Sequence, residues 1–166
     1  MFFKKAKVPN LTDLLSNSLN KLFEAFEKAI FKTQSLDSEQ KVELATYLLF
    51  FYIHAMLVRN VPRDIILSFP TNVAVLPMLT SGEKIALAKK YQERMEEYSK
   101  TLTEVEDNNS VLNVAVLFLS NFFKLTKEEI GAQKIPQLMA TELLSANGLT
   151  SATDIVDLCT KHNHLR

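Results

Sequence analysis

Apolar residues recur at three-and-four spacing along most of the chain, the period of a helix with one face turned inward. Leu11, Leu14, Leu15, Leu19, Leu22, Phe23, Phe26 and Ile30 make the first such stripe, with Asn10 placed to cap it and Asp13 near its positive end. They predict an amphipathic helix over about 11–32. A second helix is expected to start at Asp37 or Ser38 and to run to about Arg59, with Pro62 stopping it. Its stretch "YLLFFYIHAMLV", residues 47–58, has one strongly polar side chain, His54, and is apolar on every side, which suits a helix surrounded by other helices.

Pro62, Pro70 and Pro77 divide the next segment into a short helix at about 62–69 and an irregular apolar link, "TNVAVLPML". A strand over Val73 to Leu76 would lack a partner. Thr80 and Glu83 have the capping-box spacing, and a long helix should run from there to about Glu104. Its stripe of Ala88, Tyr91, Met95, Tyr98, Leu102 and Val105 suits packing along another helix, within the fold or in a partner. After a polar loop, "EDNNS" at 106–110, "VLNVAVLFLSNFF" at 111–123 reads as a second central helix. The alternation of Val114, Val116 and Phe118 also fits a buried strand, but no second strand exists to complete a sheet.

Thr126 and Glu129 repeat the capping-box spacing and open a short helix that yields near Gly131 or before Pro136. Pro136 then begins a helix to about 146, ended by Asn147-Gly148 with a glycine free to take positive φ, and a last helix covers about 151–161. The pattern therefore predicts a single all-α domain over residues 1–166, a bundle of six or seven helices. Two central apolar helices, about 44–59 and 111–124, form its middle, and residues 1–9 are expected as a flexible N-terminal segment.

Composition narrows the function classes. The 166 residues are 47% hydrophobic and 23% charged, enough for one sizeable core, and nineteen basic residues balance nineteen acidic ones. No overall field draws the chain to nucleic acid. The one segment with helix-turn-helix potential, 136–161, would present Asp154 and Asp157 against Lys161, which repels phosphate, so nucleic acid is not an expected partner. The charge-free run from Leu44 to Val58 is fifteen residues, short of the about twenty that a bilayer needs. "MFFKKAK" is followed by no apolar signal region, and a lone cysteine, Cys159, excludes an intrachain disulfide. A cytoplasmic protein without a transmembrane segment is the expectation.

Candidate chemistry is sparse. With only Gly82, Gly131 and Gly148, no phosphate-cradling glycine loop can be written, and no zinc-protease helix, nucleophile elbow or kinase signature occurs. This weighs against an enzyme, and no cofactor is expected. On a helix His54 neighbours Phe50, Phe51, Leu57 and Val58, without the orienting group a catalytic histidine needs. It reads first as a neutral structural histidine hydrogen-bonded to backbone or to a remote side chain, and second as a ligand-pocket residue.

Cys159 and His162 stand one turn apart, with Asp157 or His164 available to complete a metal site, although a frayed terminus with a buried cysteine is the commoner arrangement. Phe2 and Phe3 beside Lys4, Lys5 and Lys7 make a membrane-surface candidate, or two rings capping the core with their lysines in water. The leading expectation is a non-enzymatic intracellular protein–protein interaction domain, an adaptor or regulator, with Tyr91, Met95 and Tyr98 as partner-contact residues. The alternatives are a small-ligand-binding protein or unfamiliar enzyme with a pocket near His54, and a peripheral membrane protein acting through residues 1–32. Homo-oligomerisation stays open.

Overall fold

The computed structural model describes residues 10–31, 35–72, 79–103 and 110–161. Every regular element among them is helical: α1 (Leu11–Phe26, continued by a π turn, Glu27–Phe31), α2 (Ser38–Val58), α3 (Arg63–Asn72), α4 (Ser81–Thr103), α5 (Ser110–Phe123), α6 (Lys127–Gln133) and α7 (Ile135–Lys161). The predicted all-α class of six or seven helices holds, with seven among the described residues. The N-terminal candidates Phe2, Phe3, Lys4, Lys5 and Lys7, the proposed flexible segment, the link at 73–78 and most of the 106–110 loop lie outside the described residues.

Helix starts are written in local chemistry. The Asp13 N–H donates to Asn10 Oδ1 at 2.8 Å. Asp37 and Gln40 satisfy each other's backbone donors at 2.8 and 3.2 Å, Thr80 and Glu83 do so at 2.6 and 3.3 Å, and Thr126 and Glu129 at 2.7 and 3.2 Å. Such reciprocal caps satisfy N–H groups that have no partner within the helix. Two helix ends use a left-handed residue that is not glycine, Asn60 (φ 53) after α2 and Lys124 (φ 55) after α5. The N–H of the next residue then reaches back five positions, Val61 to Met56 O and Leu125 to Ser120 O.

Three expectations need correction. The helices expected at 136–146 and 151–161 are one, α7, running unbroken through Asn147-Gly148. Gly148 does not take positive φ. A Cβ at Gly148 would collide with Leu22 Cδ2, so the glycine marks a close crossing of α7 over α1, and no helical hairpin exists there. α3 continues past its expected end to Asn72, through Pro70, giving up the hydrogen bond for which proline has no N–H. Finally, the first helix widens at Glu27–Phe31, where bonds close i→i+5 and bring Ile30 and Phe31 both into the core.

α2 is the hub and packs against α1, α3, α4, α5 and α7. It is buried almost continuously from Val42 to Met56. Tyr47 stacks on Phe118 of α5 at 4.0 Å, with Phe26 edge-on to both rings and Tyr98 edge-on to Tyr47. The Tyr47 hydroxyl bonds Ser145 of α7 at 2.7 Å. α5 is less enclosed: Val114, Ala115, Phe118, Leu119 and Phe122 are buried and its remaining apolar residues are half-buried.

With 21 residues, α2 is by length and composition the one helix among the described residues able to cross a membrane, and 78% of its most apolar window is buried inside the fold. That burial is what the sequence reading of a core helix anticipates. α2 and α4 run alongside each other in the same direction, as the pairs Lys90–Glu39 (3.1 Å) and Arg94–Glu43 (3.1 Å) show. α3 doubles back between the far end of α2 and the start of α4.

Candidate functional site: an apolar groove along α4

α3 packs chiefly on α2 and stands off α4. The gap forms a groove of about 450 Å³, floored by Phe50, Ile53 and His54 of α2 and by Tyr91 and Met95 of α4, and walled by Leu57 of α2 and by Ile66, Leu67 and Pro70 of α3. A second trough of about 440 Å³ continues it toward the start of α4, sharing Leu67, Pro70 and Tyr91 and adding Lys84, Leu87 and Ala88. Leu57 and Leu67 are 56% and 66% exposed, so the walls are apolar to their rims. A volume of this size is what a drug-sized ligand or a few side chains of a partner fill.

Two candidate sites that the sequence set against each other are therefore one place. His54 lines the groove beside Tyr91 and Met95. Its ring stacks with Phe50 at 6.0 Å. The hydrogen bond expected for His54 is not made among the described residues. Partial burial lowers its pKa from the ordinary 6.5, which keeps it neutral at neutral pH. The Tyr91 hydroxyl is pushed up to about 12 by burial. No hydrogen bond joins His54 to Tyr91 or Ser99 among the described residues.

Tyr98 is not a surface residue. It is fully buried and its hydroxyl donates to Glu43 Oε1 at 2.7 Å, while Arg94 Nε binds Glu43 Oε2 at 3.1 Å. Tyr98 and Arg94 thus neutralise and satisfy a carboxylate that is 2% exposed, and the end of the α4 stripe is tied beneath α2. Burial, with Glu43 close by, holds the Tyr98 hydroxyl well above its usual range. Sequence reasoning passed over Glu43, though a lone acid on the edge of an apolar run is a signal for a buried partner.

The charges of the groove face are few. Among the residues of α4 that line the two troughs are Lys84 at one end and, on the rim, Glu96 toward the other, with Gln92 and Ser99 between and beyond. The Gln92 side chain donates to Glu96 at 3.2 Å. Lys89, Glu93 and Lys100 line neither trough, and Lys90 and Arg94 turn toward α2.

Of the C-terminal metal candidates, Asp157 and Cys159 are among the described residues. Cys159 is buried, and desolvation raises its pKa, holding it as a thiol. Asp157 is engaged by Arg59 at 2.7 and 3.2 Å. His162 and His164 lie outside the described residues, and among the described ones no group of three metal-ligating side chains occurs. α7 presents a second apolar surface, a stripe of Ile135, Met139 and Leu143 at 51%, 65% and 63% exposure. The chain matches no family model, no curated protein and no solved structure.

Proposed function

We propose that this protein is a non-enzymatic interaction module that receives apolar side chains of a protein partner in the α2–α3–α4 groove. The observation that carries the reading is the groove itself, an apolar channel whose rims Leu57 and Leu67 are more than half exposed and whose floor includes Tyr91 and Met95. Aromatic residues and methionine are the side chains that concentrate binding energy at interfaces, and exposed apolar surface of this kind is uncommon away from them.

Leu67→Lys tests the reading, because a side chain 66% exposed can change with little effect on folding. Burying a leucine in an interface is worth about 1.5–3 kcal/mol, so the variant should lose at least tenfold in partner affinity. The measurement is affinity capture of the tagged chain from its native extract, wild type beside Leu67→Lys, with protein and small molecules identified in the same eluates. A stoichiometric protein lost only from the variant supports the module. A metabolite retained by the wild type and lost from the variant, with no protein partner, would turn the reading to small-ligand binding, which the volume of about 450 Å³ and the neutral His54 favour second.

A further inference from the structure

The geometry points to an amphipathic helix as the occupant of the groove, lying alongside α4 with an acidic residue over Lys84 and a basic residue over Glu96. This rests on the reading of the groove as a protein-docking surface. Three observations carry it. The two troughs join at Leu67, Pro70 and Tyr91, so the apolar channel is continuous along α4 from Lys84 to Ser99. Fifteen residues at 1.5 Å each give about 22 Å, the length of a four-turn helix, and a helix laid in such a channel fills it with side chains at i, i+4, i+7 and i+11.

Charge then fixes the orientation. Of the α4 side chains that line the two troughs, Lys84 and Glu96 carry charge, twelve positions apart or about 18 Å. α2 contributes the neutral His54 beside apolar residues, and α3 contributes Ile66, Leu67, Pro70 and Thr71 to the two troughs, so neither adds a charge. The channel is therefore positive at one end and negative at the other. A helix whose acidic residue lies in its first turn and whose basic residue lies in its last also complements its own dipole. Such a helix meets Lys84 with its N-terminal end and runs parallel to α4.

The test uses two fluorescein-labelled, end-capped sixteen-residue peptides on the full chain, read by fluorescence anisotropy. Both carry leucines at i, i+4, i+7 and i+11. One has Glu in the first turn and Lys in the last, and the other has the two exchanged. The first should bind more tightly, by on the order of fivefold at low salt and less as salt rises. Lys84→Glu with Glu96→Lys, both exposed and folding-neutral changes, should invert the preference, and Leu67→Lys should abolish binding of both peptides.

Equal binding, or a preference that the double exchange leaves in place, overturns the orientation. Failure of both peptides while Leu67-dependent capture of a protein persists overturns the helix and leaves the interaction module standing. Failure of both together with capture of a metabolite alone overturns both readings. A dimer of the unliganded chain in sedimentation, dispersed by Leu67→Lys, would assign the groove to a second copy and overturn the helix.

Discussion

A single methyl group separates glycine from alanine, and at Gly148 that methyl would enter the space of the Leu22 δ-carbon. The obstacle is the end of a flexible side chain, and alanine gains about 1 kcal/mol over glycine in helix propensity. Gly148→Ala should accordingly be near neutral. Gly148→Val adds bulk that Leu22 cannot yield to and should cost about 1–3 kcal/mol by overpacking. Urea unfolding of Gly148→Val, Leu22→Ala and the double variant checks this, since the double variant should be more stable than the sum of the singles. His54 supplies the second prediction at this scale. Burial depresses its folded pKa below the ordinary 6.5, so the unfolded chain takes up the proton first and stability drops as pH falls through that range. The contribution is full above the unfolded pKa. Comparing urea midpoints at about pH 7.5 and about pH 5, His54→Gln should lose less stability on acidification than the wild type. A wild-type slope retained in the variant would remove His54 from the account.

At the scale of elements, α2 and α4 are locked by a buried polar cluster. Glu43, with 3% of its side chain exposed, sits against Arg94 at 16%. Arg94→Met leaves the carboxylate with one donor, Tyr98, in an apolar surround, and stranding a buried charge costs about 3–5 kcal/mol. Chemical denaturation should show a loss of that order, with Lys90→Met, which opens an exposed pair to Glu39, costing well under 1 kcal/mol. A small effect of Arg94→Met would mean that water reaches Glu43. Helix starts were legible because a capping box is a contract between residues three apart. The fate of Asn147-Gly148 was not, since what decides it is Leu22, more than a hundred positions away, and a glycine that opens room for a neighbour reads the same in sequence as one that ends a helix.

Across the whole molecule, the apolar run at 47–58 announced its own central place, and the helices that surround it derive from their one-sided stripes. Which stripe faced which partner was not written there. Tyr91, Met95 and Tyr98 share a face in sequence, yet Tyr98 goes under α2 while Tyr91 and Met95 open to the groove, a split set by where α3 crosses. The groove itself is a property of α3 standing off α4, and periodicity gives faces without distances.

The π turn at Glu27–Phe31 also resets the count along its helix. It holds a residue that an uninterrupted α-helix would not need, so the phase counted forward from Leu11 slips by one beyond Glu27, and Phe31 comes round to stack on Phe122 at 4.4 Å. An alignment of this helix with a regular one must open a single-residue gap inside those five positions, or Phe31 is matched to the wrong face.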